Sequence, residues 1–226
     1  MTIDVAANLA AVKARIAAAA SRASREPSSV KLIAVSKTKT EAAIREAYAA
    51  GQRAFGESYA QELEEKAAAL ADLSAIEWHF IGHLQSNKAK LVARVAHVIH
   101  AIDHPGLARE LSKRAASAGR TIVALAEVKL SREPTKHGVV PEELEELLRA
   151  IEGESALQLR GLMTMPELGE LDHAKRAFAT LRSLRELHGG RARLPELSMG
   201  MTADLEIAIT EGATMIRVGT AIFGDR

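Results

Sequence analysis

The sequence contains no cysteine. Disulfide frameworks, Cys-ligated zinc, iron–sulfur clusters and thiol nucleophiles are thereby excluded, and the composition fits a reducing compartment. Aromatic residues amount to 3%, namely one Trp, two Tyr and four Phe. That is too few for base-stacking platforms, and it leaves the core to Ala, Val, Leu and Ile. Neither charge sign dominates: 30 Lys and Arg oppose 29 Asp and Glu, a net charge of +1. No global field draws the chain to nucleic acid or an anionic membrane. No apolar run reaches the ~18 residues of a membrane span, and no basic-then-apolar order marks a secretory signal. Lys13, Arg15, Arg22 and Arg25 loosely resemble an organellar transit helix. However, Val5, Leu9, Val12 and Ile16 fall at helical spacing and read better as a core-facing stripe. A cytoplasmic protein with no nucleic-acid or membrane partner is expected.

What is present is globular. Hydrophobic residues make up 47% and charged residues 26% of 226 residues, which suits one domain over 1–226. Short β-branched runs alternate with helical periodicity. Strands are expected at 31–36, 53–56, 77–82, 97–103, 121–130, 157–165, 196–200 and 214–219. Helices are expected between them. One opens on a capping box, Ser58 with Gln61; others are capped by Ser86 and by Thr202 or a neighbour. Pro105 and Pro141 sit in first turns, and Gly51, Gly119, Gly153, Gly189 and Gly212 are stops. Trp78 reads as a packing residue between barrel and helices. Strands alternating with helices imply right-handed crossovers and a parallel sheet, and eight is the count of the closed (β/α)8 TIM barrel. The segment after the last strand is too short for a full helix, so the N-terminal helix is expected to fill that place. A doubly wound open sheet is the competing topology.

In such a barrel the site lies at the C-terminal strand ends. Lys37 follows LIAVS directly and shares a face with Ile33 and Val35. A lysine desolvated there can lose its proton and form a Schiff base; the plain alternative is a lysine snorkelling to solvent. Phosphates in these barrels often bind after strands 7 and 8. There the sequence reads Ser198-Met199-Gly200-Met201-Thr202 and Arg217-Val218-Gly219-Thr220. Both offer glycine, hydroxyls and N–H groups at a helix start, and Arg217 adds fixed charge. Neither is a P-loop, and no dinucleotide-binding glycine fingerprint follows a strand. His79, His83, His97, His100 and His104 invite a metal reading, but only Asp103 stands close as an acidic partner. They read instead as solvated strand-end or packing residues. The lysine and phosphate pattern describes a pyridoxal phosphate barrel; a Schiff-base aldolase acting on a phosphorylated sugar, which would use the same lysine without a cofactor, is a lesser alternative.

The sequence resembles the pyridoxal phosphate homeostasis protein family along nearly its whole length. AVSKTK at 34–39, FGE at 55–57, WHFIGHLQSNK at 78–88, TKHG at 135–138, RGLMTM at 160–165, LSMGMTADLEIAI at 197–209 and IRVGTAIFG at 216–224 carry the likeness. The resemblance implies a fold-type III barrel similar to the N-terminal domain of alanine racemase, with pyridoxal 5′-phosphate on Lys37 as a Schiff base. It places Ser198, Gly200, Met201, Gly219 and Thr220 around the phosphate, and Arg217 by the pyridine nitrogen or the phosphate. It implies a carrier that buffers vitamin B6, with pyridoxal phosphate-dependent apo-enzymes as partners, without robust turnover; a monomer is expected. A weak racemase or decarboxylase is the alternative.

Two positions depart from the family's pattern. Ser58 follows FGE where Asn is usual, and Lys129 ends strand 5 where Asn is usual. Lys129 would place a second amine near the mouth, competing for the aldehyde or pairing with Glu127; Lys39 and Lys136 are further amines. Racemisation needs a second base on the opposite ring face. Tyr48 and Tyr59, the two tyrosines, both read as helical, which favours the carrier.

Overall fold

The computed structural model describes residues 3–131, 133, 136–167 and 169–225. Thr135 of the TKHG segment therefore lies outside the described residues. Eight parallel strands close into a barrel in sequence order. They are β1 (Lys31–Val35), β2 (Ala54–Glu57), β3 (Glu77–Phe80), β4 (Val98–Ile102), β5 (Ile122–Glu127), β6 (Leu157–Met163), β7 (Glu196–Ser198) and β8 (Met215–Val218). Closure pairs β1 with β8, Ile33 opposite Arg217, and removes the open-sheet alternative. The helices are α1 (Val5–Arg22), α2 (Glu41–Ala49), α3 (Ala60–Ala69), α4 (Ala89–Val95), α5 (Pro105–Ser117), α6 (Leu144–Glu152), α7 (Leu171–Leu187), α8 (Gly190–Arg193), α9 (Leu205–Thr210) and α10 (Thr220–Phe223).

Strand periodicity sorts the apolar side chains into two layers. Ile33, Ala54, Val98, Ala101, Leu125, Met163 and Met215 fill the barrel interior. Their strand neighbours Leu32, Ala34, Phe55, Ile99, Ala124, Leu162 and Ile216 face the helices. Trp78 is buried in that outer layer beside Phe55, ring centroids 6.1 Å apart.

The stripe of α1 is buried as expected. The helix packs against α9, α10 and α2. Asn8 donates to the Ile222 carbonyl at 3.1 Å and Arg15 pairs with Glu206 at 2.9 Å. The first helix thus takes the place in the outer ring that the four-residue α10 leaves open.

Two cap expectations are corrected. Helix α3 starts after Tyr59, with no side-chain cap bond. Ser58 stays in the preceding loop because its backbone presses against Gly82, where any Cβ would strike the Ser58 carbonyl. Ser86 opens a single 3-10 turn before α4 and makes no side-chain cap bond. For α9 the N-cap position falls to Asp204, a neighbour of Thr202, which accepts the Met201 N–H at 2.6 Å.

Candidate functional site

A cavity of about 580 Å³ opens at the C-terminal ends of the strands, within the ~300–1,000 Å³ range of small-molecule sites. Val35, Lys37, Ser58, Tyr59, Gly82 and His83 line one side. Met201, Thr202, Ala203, Asp204, Arg217, Gly219 and Thr220 line the phosphate-region side.

Lys37 sits on a tight turn that leaves β1. The Lys39 N–H donates to the Ser36 carbonyl at 3.0 Å. Thr38 holds φ +63°, a left-handed conformation that a β-branched residue adopts only under constraint. The constraint is visible. Ser36 Oγ donates to Glu57 at 2.6 Å. Lys66 Nζ donates to the Ser36 carbonyl at 2.6 Å, to Glu57 at 2.8 Å and to Glu62 at 2.7 Å. Glu62 in turn accepts the Thr38 N–H. Burial raises the Glu57 carboxyl, and its bonds from Lys66 and Ser36 oppose that rise. Lys39 ties the turn to the chain end through the carbonyls of Gly224 and Asp225, at 2.9 and 2.8 Å.

Arg217 enters from β8 with its guanidinium buried. Nη1 donates to Ser198 Oγ at 2.6 Å and Nη2 to the Thr164 carbonyl at 3.2 Å. Burial lowers its pKa to about 10, while Glu127 and Asp204 hold it up, so it keeps its charge near neutral pH. Behind it, Ser198 Oγ lies 2.8 Å from His100 Nδ1, and His100 Nε2 lies 2.9 Å from His79 Nδ1. Burial depresses both imidazoles. A guanidinium only donates. Ser198 therefore accepts from Arg217, and the imidazole tautomers set which partner donates in the two contacts behind it. His79 Nε2 ends the row 3.5 Å from Glu77.

Of the expected residues, the cavity brings together Lys37, Met201, Arg217, Gly219 and Thr220. Ser198 and Gly200 stand behind its wall. Ser198 supports Arg217. Gly200 takes φ +95°, where an added Cβ would lie 2.5 Å from that of Ala208. Lys129 does not line the cavity. Nor does it reach Glu127: the charges acting on that carboxyl are Asp103, Arg217 and Lys136, and burial with Asp103 pushes it up to about 7.

Of the two readings of the histidines, packing holds for His79 and His100, which are interior. His97 accepts the Trp78 N–H and His104 caps α5 through Leu107. Tyr48 lies under Arg53, 3.9 Å from its guanidinium carbon. Tyr59 is not inside a helix; it stands at the N-cap of α3, exposed, on the cavity wall.

Comparison with known proteins fits this geometry. Residues 7–226 match the family model of the alanine racemase N-terminal domain. The chain is 47% identical to the pyridoxal phosphate homeostasis protein of Pseudomonas aeruginosa, covering 98% of this chain and 96% of that one. The chain belongs to the pyridoxal phosphate homeostasis protein family. Its Escherichia coli K12 member is 43% identical, over 99% of this chain and 97% of that one. The solved structure of PipY from Synechococcus elongatus with pyridoxal phosphate bound is 43% identical. It superposes with a TM-score of 0.81, covering 92% of this chain and all 100% of that one. Alanine racemase from Corynebacterium glutamicum, 21% identical with a TM-score of 0.68, shares the fold over 99% of this chain and 61% of its own.

Proposed function

We propose that this chain binds pyridoxal 5′-phosphate at the barrel mouth, holds it as a Schiff base on Lys37, and buffers or delivers it in vitamin B6 homeostasis. One observation carries the reading: Lys37 and Arg217 share a cofactor-sized cavity with Met201, Gly219 and Thr220. The bound group would supply an aldehyde that condenses with an amine, with loss of water, and an electron-withdrawing ring.

The residues present fit that group. The Ser36–Lys39 turn fixes the backbone of Lys37, so the amine swings from a rigid base. Gly219 keeps the wall thin, since an added Cβ would sit 3.2 Å from the Val35 carbonyl. Thr220 opens α10, whose first N–H groups have no intrahelical acceptor and suit a phosphate; Met201 lines the same side of the cavity with its N–H held by Asp204. Ser198 and Gly200 act from behind, one by holding Arg217 and one by letting the 199–204 turn pack closely. Beside a pyridine nitrogen, a guanidinium held by Ser198 and Thr164 would disfavour ring protonation and weaken the electron sink. That favours holding over turnover.

We further propose a single-domain cytoplasmic monomer that hands its cofactor to apo-enzymes. The cysteine-free composition supports the reducing compartment, and no helix among the described residues is long and apolar enough to cross a membrane. Mixing the loaded protein with a cofactor-free pyridoxal phosphate enzyme tests delivery. Recovery of that enzyme's activity supports it, and no recovery while free cofactor restores activity contradicts it. One observation favours a second reading, weak action on amino acids: Tyr59 stands on the cavity wall. Tyr59-dependent exchange of the α-proton of alanine into deuterated water would establish it.

A further inference from the structure

A second cluster at the mouth is explained neither by the cofactor reading nor by packing. His83 follows β3, Asp103 follows β4, and His137 lies in the segment after β5. Their ligand atoms all lie within 4.8 Å of one another. His83 Nδ1 stands 3.5 Å from Asp103 Oδ2. Two ligands bound to one tetrahedral zinc at ~2.1 Å are about 3.4 Å apart, so this pair already has the spacing. The imidazoles of His83 and His137 are stacked, centroids 3.5 Å apart and 10° from parallel; an imidazole ligates in its ring plane, so the exposed His137 ring has to turn out of the stack for both nitrogens to face one ion. Asp103 Oδ1 is buried without a hydrogen-bond partner among the described residues, a cost that native structures rarely leave standing.

His104 completes the surroundings without being a ligand. Its Nδ1 accepts the Leu107 N–H at 3.1 Å, which in the neutral ring leaves the proton on Nε2. That nitrogen faces Asp103 Oδ1 at 3.9 Å, the place of an outer partner that steadies a ligating carboxylate.

We propose that His83, Asp103 and His137 form a binding site for a divalent transition-metal cation of the zinc class at the rim of the cavity. Two imidazoles and one carboxylate suit zinc, cobalt or nickel rather than magnesium or calcium. Three protein ligands leave a coordination position open. Because His83 also lines the cavity, the cation would stand beside whatever the cavity holds. The assignment does not rest on the cofactor.

The test is titration of untagged, cofactor-free full-length protein with Co²⁺, read by its visible ligand-field absorption, and with Zn²⁺ by calorimetry. One equivalent should bind to the wild type. His137→Ala and Asp103→Asn should each weaken binding at least about tenfold, the effect of losing even an outer partner. His173→Ala, on α7, should change nothing. Because His137 is exposed, its variant carries the test even if Asp103→Asn fails to fold. Wild type and His137→Ala binding alike, or a wild type giving only the spectrum of aqueous cobalt, would overturn the proposal.

Discussion

Nη1 of Arg217 lies 2.6 Å from Oγ of Ser198, inside the barrel and directly beneath the cavity. This contact anchors the interior polar row that continues from Ser198 to His100 and His79. Ser198→Ala should therefore leave Arg217 and His100 each short of a partner. The expected loss is about 1–3 kcal/mol, the cost of unsatisfied buried polar groups, read by urea unfolding. A variant as stable as wild type would show that water replaces the hydroxyl.

The clamp beneath Lys37 is a buried ion pair. Lys66→Met would leave the buried Glu57 without its cation and the Ser36 carbonyl with the Lys39 N–H alone, at about 3–5 kcal/mol. Adding Glu57→Gln should cost far less than the sum of the single variants, and a double-mutant cycle in urea measures the coupling. Strict additivity would mean the two groups act independently.

Gly200 is required by conformation as well as space. Gly200→Ala puts an L-residue at φ +95° with its Cβ 2.5 Å from Ala208. The strain is about 1–3 kcal/mol, and relieving it displaces the turn that carries Met201. Both thermal stability and cofactor affinity should fall while the far-UV circular dichroism persists. Unchanged affinity would separate this turn from the phosphate region.

Acid stability should depend on Glu77. The His79 imidazole 3.5 Å away, and then the bonds from Lys31, pull its carboxyl from 4.5 to about 2. A carboxyl lowered by folding stabilises fully above its unfolded value and loses that contribution as pH falls from about 4.5 to about 2. With Glu77 35% exposed, solvent screening reduces the contribution to about 1 kcal/mol or less. Glu77→Gln should trail wild type by that amount at pH 7 and match it near pH 2. A gap that stays constant with pH would contradict the assignment.

The barrel was readable because eight β-branched runs alternate with amphipathic ones, and the strand-end rule then placed Lys37, Arg217 and the two glycine turns before any resemblance was needed. His79 and His100 were not readable. Their strands are buried on both faces, so alternation gives no contrast between residues facing the interior and those facing the helices. Lys66 looks like any lysine on an amphipathic helix; only the fold shows that it reaches Glu57 and Ser36. Tyr59 was misplaced because Ser58 and Gln61 mimic a capping box one residue early. His137 lies in a segment without periodicity, and nothing in the sequence says that it stacks on His83.

The central claim is that Lys37 holds the cofactor. The most direct measurement is the visible absorbance of purified wild type and Lys37→Ala, each with added pyridoxal phosphate. The account predicts a protonated Schiff-base band in wild type that is absent from the variant. A wild type that stays colourless, or a band that survives in Lys37→Ala, would contradict it.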